Sequence, residues 1–246
     1  MTNKKAMMRR RGIYLLPNLF TTGALFSGFY AITSAIDGRF ETAAIAIFVA
    51  MILDGLDGRV ARLTNTQSEF GVEYDSLSDM ISFAAAPALV MYLWAFSSFG
   101  KLGLFAAFVH AAGGALRLAR FNTQVATADK RFFQGLPSPA AAAILAGFIW
   151  INLEYDYQAD AVQYIALLLT LSTGLLMVSN FRYYSFKDID FRGKVPFVVA
   201  IAVMLGIAFV MTQPQTMLFV LSFGYLVSGP LVTLVLRRRK RLSRKI

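Results

Sequence analysis

Long uninterrupted apolar blocks constrain this chain more than any other feature. Eight can be drawn: Leu15–Ile36, Phe40–Leu53, Met80–Phe99, Leu102–Leu118, Ser138–Leu153, Ala161–Asn180, Val195–Met211 and Thr216–Leu236. At a rise of about 1.5 Å per residue, roughly 20 helical residues cross a hydrocarbon core of about 30 Å. Most of the blocks meet that length. The second and fifth are short as drawn, and the second is expected to continue as helix into the charged residues after Leu53. Charged residues make up 15% of the 246, against roughly 25% in an ordinary soluble domain, too few to cover a globule in water. The expected fold is a single all-α integral membrane domain, 1–246, with about eight transmembrane helices and short basic tails at 1–12 and 237–246.

Charge orients the expected spans. With the N-terminus in the cytoplasm and sides alternating, 22 of the 24 lysines and arginines face the cytoplasm, and only Arg39 and Lys101 lie opposite. This asymmetry is the positive-inside pattern, and it puts both termini inside. The basic residues before the first block precede no small-residue cleavage pattern, so that block reads as a retained span rather than a removed signal. The run Arg237, Arg238, Arg239, Lys240, Arg241 directly follows the last block. It reads as a topology anchor against anionic lipid rather than a nucleic-acid arm, and no nucleic-acid partner is expected. With no cysteine and one histidine, disulfides, thiolate sites and histidine-built zinc sites are excluded.

Four aspartates carry the chemistry. Asp54 and Asp57 are three residues apart, and Asp75 and Asp79 four apart. On helices each pair shares one face, about a turn apart. The second span runs toward the cytoplasm and the third begins there, so the pairs can meet across the mouths of antiparallel helices. Four carboxylates at one membrane edge stay ionised only if cations compensate them. Arg59 and Arg62 are too few, and oxygen-only ligands suit Mg²⁺ or Mn²⁺, with room for two ions. Because Mg²⁺ favours a few carboxylates together with substrate phosphates, a phosphate-bearing substrate is expected. Gly55 and Gly58 offer bare backbone for a close-lying ligand or for helix packing. Gly71 either does the same opposite them or starts the third helix. A divalent-cation transporter would also place acids in membrane helices, but these acids cluster at one mouth and the later spans nearly lack them.

From Asp54 to Asp79 the chain reads D-x2-D-G-x2-A-R-x8-G-x3-D-x3-D. That string resembles the signature of the CDP-alcohol phosphatidyltransferase family of integral membrane enzymes. Pro17-Asn18, Arg117-Leu118-Ala119-Arg120-Phe121-Asn122 and Phe133-Gln134-Gly135-Leu136-Pro137-Ser138-Pro139-Ala140 resemble the bacterial phosphatidylserine synthases within it. The resemblance implies transfer of a phosphatidyl group from CDP-diacylglycerol to an alcohol, with release of CMP. It implies two divalent cations on Asp54, Asp57, Asp75 and Asp79, with Asp79 also the base on the acceptor hydroxyl. Gly58 and Ala61 fall where the family packs the cytidine nucleotide. It further implies a homodimer in a bacterial inner membrane, with the active site facing the cytoplasm.

The remaining assignments follow from residue chemistry. Two ions about 3.5–4 Å apart can clamp a diphosphate, and an alcohol near neutral pH needs a positioned base. Arg62 is a candidate donor-phosphate contact. Arg117 and Arg120, three apart at the end of the fourth block, could hold a donor phosphate or an acceptor carboxylate through bidentate forks. Asn122 and Lys130 are further acceptor or phosphate contacts, with Arg131 beside Lys130 in the same loop. L-serine carries both a hydroxyl to attack with and a carboxylate to recognise. Glycerol 3-phosphate and inositol phosphate satisfy the same chemistry, and the resemblance selects serine. His110, in the fourth block, is read as a satisfied or lipid-edge histidine rather than a covalent nucleophile.

Overall fold

The computed structural model describes residues 2–64, 66–124, 132–157, 160–185 and 197–243. Its helices in chain order are α1 (Thr2–Ile36), α2 (Phe40–Thr64), α3 (Glu69–Phe99), α4 (Lys101–Gln124), α5 (Ser138–Glu154), α6 (Asp160–Val178), α7 (Phe197–Thr212) and α8 (Pro214–Ser243). Among the described residues the only strands are two of three residues each: β1 (Phe132–Gln134) and β2 (Arg182–Tyr184). α1, α3, α4, α6 and α8 each contain a stretch long and apolar enough to cross a membrane, and α5 is apolar but shorter at 17 residues. The architecture is an all-α, multi-pass membrane fold. As expected, α2 does not stop at Leu53 but runs through the charged segment to Thr64.

Small residues let these helices close on one another. Ala43, Ala44 and Ala50 of α2 and Ala31 and Ala35 of α1 are buried where α1 and α2 pack together. In lipid there is no hydrophobic gain from helix association, so close backbone approach supplies the packing energy. Large apolar side chains such as Phe26, Phe108 and Leu175 instead face outward, as lipid-facing positions allow.

The crossing of α4 and α6 is tighter still. A Cβ added to Gly174 would lie 2.7 Å from the Val109 carbonyl oxygen and 2.9 Å from His110 Cα, and one on Gly113 would overlap the Gly174 carbonyl. His110 is fully buried at this crossing, with Nδ1 2.9 Å from Thr173 Oγ1. It is therefore an interior histidine rather than a lipid-edge one. Gly174→Leu is expected to wedge the crossing open and destabilise the fold by about 1–3 kcal/mol, read as a lower Tm in detergent. An unchanged Tm would mean the crossing has slack.

α3 is α-helical from Glu69 to Asp79, then π-helical over Met80–Ala85 and again over Tyr92–Phe96, with α-helix between at Ala86–Met91. Single π turns recur at functional sites because they re-aim side chains, and the first of these begins immediately after Asp79. β1 and β2 pair antiparallel, with Phe132 opposite Tyr184 and Gln134 opposite Arg182. Gly135 follows β1 with φ +76°, and a Cβ there would overlap the Met177 carbonyl. Tyr183 is buried against Gly229 of α8, and its hydroxyl donates to the Leu226 carbonyl at 3.2 Å. The strand pair thereby ties the segments that follow α4 and α6 to α8.

Candidate active site

α2 and α3 deliver the two acid pairs to one place. Ser68, in extended backbone, caps α3 by accepting from the Gly71 amide at 3.0 Å. That start puts Asp75 and Asp79 on the second and third turns. Carboxylate oxygens of Asp54, Asp57 and Asp75 lie within 4.8 Å of one another. The Asp79 carboxyl, one turn further along, lies close to those of Asp54 and Asp75. Asp57 is buried, and its Oδ2 accepts from Thr21 Oγ1 of α1 at 2.7 Å. Asp54, Asp75 and Asp79 are part-buried.

The donor set fits a hard divalent cation. Asp75 Oδ1 is buried and has no hydrogen-bond partner. An acid oxygen withdrawn from water without a donor is costly, and a cation removes that cost. Clustered carboxylates also repel, which adds to the demand for positive charge. Every candidate ligand is a carboxylate oxygen, the chemistry that Mg²⁺ and Mn²⁺ select. A Cβ on Gly55 would meet nothing within 4 Å, so the α2 surface is open at that position.

The other expected site residues divide by surroundings. Gly58 and Ala61 are half-exposed on α2, and the exposed Arg62 folds back so that its Nη1 would lie 3.3 Å from a Cβ on Gly58. Gly71 sits in the capping turn of α3, where a Cβ would lie 3.1 Å from Ser68 Oγ and 3.6 Å from Asn18 Oδ1. Arg117 is buried. Its Nη1 donates to the carbonyls of Gln134 at 3.0 Å and Gly135 at 3.3 Å, and its guanidinium stands 5.9 Å from the Phe133 ring centre. It also lies within electrostatic reach of Asp79. Arg120 Nη1 donates to the Val178 carbonyl at 3.2 Å, and Nη2 donates to Asn180 Oδ1 at 2.6 Å. Asn122 Nδ2 donates to Ser76 Oγ at 3.1 Å, beside Asp75 on α3. Lys130, with Arg131, lies outside the described residues.

Polar residues of α1 and α3 join the site without having been singled out from the sequence. Besides Thr21, Thr22 Oγ1 is 2.9 Å from the Tyr74 hydroxyl, and Ser78 Oγ donates to the Thr21 carbonyl at 3.1 Å. The available signal was their position: Thr21 and Thr22 follow Pro17-Asn18 by one helical turn.

The profile of the CDP-alcohol phosphatidyltransferase family matches residues 14–176, which include all four aspartates. The chain belongs to this family. It is a membrane transferase of phospholipid biosynthesis. It is 39% identical over 217 residues to the CDP-diacylglycerol–serine O-phosphatidyltransferase of Helicobacter pylori strain 26695, covering 88% of this chain and 90% of that one. Against the protein of the same name from Mycobacterium tuberculosis H37Rv it is 30% identical over 229 residues, covering 90% and 79%. Against the archaetidylserine synthase of Methanothermobacter thermautotrophicus it is 34% identical over 170 residues, covering 68% and 69%.

Proposed function

We propose that this phosphatidyltransferase moves the phosphatidyl group of CDP-diacylglycerol to the hydroxyl of L-serine. The serine oxygen forms a bond to the lipid-linked phosphorus, the bond from that phosphorus to CMP breaks, and CMP leaves. The serine proton passes to the Asp79 carboxylate. Family membership supplies the reaction class, and the names of the relatives supply serine. The observation that carries the reading is the gathering of Asp54, Asp57 and Asp75 around a buried, unpartnered Asp75 oxygen, with Asp79 next to them.

Asp54, Asp57, Asp75 and Asp79 would hold two divalent cations, Mg²⁺ or Mn²⁺. When bound, such ions neutralise the diphosphate and stabilise charge on the leaving CMP. The chain's own residues do the rest. Asp79 sits deepest along α3 and takes the proton of an acceptor held within hydrogen-bond reach. Gly55 and Gly58 leave the α2 face bare for the nucleotide, with Ala61 one turn on. Arg62 reaches the donor phosphates from the same face. Gly71 keeps the opposite lip small. The lipid tails stay in the bilayer, so the site opens sideways to lipid and faces the cytoplasm of a bacterial inner membrane, in a chain that crosses eight times and works as a homodimer.

Arg117, Arg120 and Asn122 form the acceptor side, and Lys130 is assigned the same role from the sequence alone. Each arginine has donors beyond those given to backbone carbonyls, because a guanidinium carries five N–H groups. A carboxylate bridging the two would receive charge-assisted hydrogen bonds. Arg120→Ala is expected to raise the KM for serine about 10-fold, the loss of one such bond, with kcat less affected. Steady-state CMP release against serine concentration checks it. A lower Tm with an unchanged serine KM would leave Arg120 only the role of tying α4 to the end of α6.

The reading is tested by purified protein in detergent supplied with CDP-diacylglycerol and serine. Phosphatidylserine should form in step with CMP. CMP release that depends on glycerol 3-phosphate or inositol phosphate and ignores serine would move the acceptor assignment elsewhere in the family.

A further inference from the structure

α1 bears no motif acid, yet one of its residues touches both acid-bearing helices. Thr21 is 4% exposed, and its hydroxyl donates to Asp57 Oδ2 of α2 at 2.7 Å. The Pro17 carbonyl lies further from Thr21 Oγ1, at 3.1 Å. A hydroxyl has one proton to give, and a carboxylate is the stronger acceptor. The Thr21 carbonyl accepts from Ser78 Oγ of α3 at 3.1 Å, and Ser78 immediately precedes Asp79. One turn further on, Ser82 Oγ donates to the Ala24 carbonyl at 3.0 Å. Gly28 then seals the contact, since a Cβ there would lie 2.6 Å from Ser82 Cα. α1 is thus clamped to α3 by its backbone and to the α2 carboxylate by one side chain.

We propose that Thr21 is a positioning residue for the cation site. Its hydroxyl holds one oxygen of Asp57 so that the other stays turned toward Asp54 and Asp75, and its carbonyl, through Ser78, fixes the distance from that pair to Asp75 and Asp79. The inference rests on the two-cation reading above and adds the residue that sets the site's affinity. A carboxylate with a fixed hydrogen bond on one oxygen loses less orientational freedom when it becomes a ligand. Removing such a partner typically costs 10–100-fold in metal affinity.

The test is a Mn²⁺ titration of the full chain in detergent, with free Mn²⁺ read by electron paramagnetic resonance. Wild type, Thr21→Val and Thr21→Ser are compared, and Tm is measured for each. Thr21→Val keeps the shape and removes the donor, and it is expected to weaken Mn²⁺ binding about 10–100-fold. CMP release at limiting Mn²⁺ should fall with it and recover as Mn²⁺ is raised, which a generally damaged fold would not do. Thr21→Ser restores the donor and should restore binding. Should Thr21→Val fail to fold, Thr21→Ala makes the same comparison. Wild-type Mn²⁺ affinity in the folded valine or alanine variant overturns the proposal, as does a serine variant as weak as the valine one. Wild type that binds no Mn²⁺ is a separate result, and it removes the cation reading beneath the proposal.

Discussion

Asp79→Asn is expected to lower CMP release from CDP-diacylglycerol by about 10²–10⁴-fold, the usual range for loss of a positioned base, while the chain still folds. The substitution is nearly isosteric, and it removes a charge from a crowded acid cluster, so stability should not suffer. The size of the loss follows from the chemistry of the acceptor, since a serine hydroxyl is a weak nucleophile until its proton is taken. Asp79 is placed for that task at the foot of the first π turn of α3 and against Asp54. Assaying the variant at several Mn²⁺ concentrations separates its two roles. A loss that persists at saturating Mn²⁺ belongs to the base, and one that recovers belongs to the ligand. Turnover close to wild type at every Mn²⁺ concentration would remove Asp79 from both.

Chelation should have an effect as large. Stripping divalent cations is expected to bring CMP release to background, and returning Mg²⁺ or Mn²⁺ should restore it. The reasoning is electrostatic. Asp54, Asp57 and Asp75 hold oxygens within 4.8 Å of one another, and Asp75 Oδ1 has no hydrogen-bond partner. Without a cation, these groups repel each other and give a diphosphate no reason to approach. A second readout follows from linkage. A ligand that binds only the folded chain adds about 2.7 kcal/mol of stability at 100 times its Kd, so Tm should rise when Mg²⁺ or Mn²⁺ is returned. CMP release that continues at full rate in excess chelator would contradict the account.

The sequence was informative where the signal was periodic or charged. Apolar blocks announce helices in lipid because nothing else satisfies the backbone there. The continuation of α2 past Leu53 was legible because Asp54 and Asp57 only share a face if the helix persists. The nearness of Asp54, Asp57 and Asp75 followed from two spacings and an antiparallel hairpin. Thr21 was not legible, since a threonine in an apolar helix looks the same whether its hydroxyl returns to its own backbone or crosses to a carboxylate. The partners of Arg117 and Arg120 were hidden for a related reason. They are the carbonyls of Gln134, Gly135 and Val178 and the side-chain oxygen of Asn180, reached only after the chain has turned back on itself. The pairing of β1 with β2 joins segments about 50 residues apart, and three-residue strands are too short for alternation to mark. The π turns of α3 leave no compositional trace.

The most direct measurement is product analysis from purified protein in detergent, given CDP-diacylglycerol, Mn²⁺ or Mg²⁺, and one acceptor at a time. Serine, glycerol 3-phosphate, inositol phosphate and no acceptor are compared. The account predicts phosphatidylserine and CMP in equal amounts with serine alone, and neither product after chelation. CMP release that is indifferent to serine, or that survives removal of divalent cations, would contradict it.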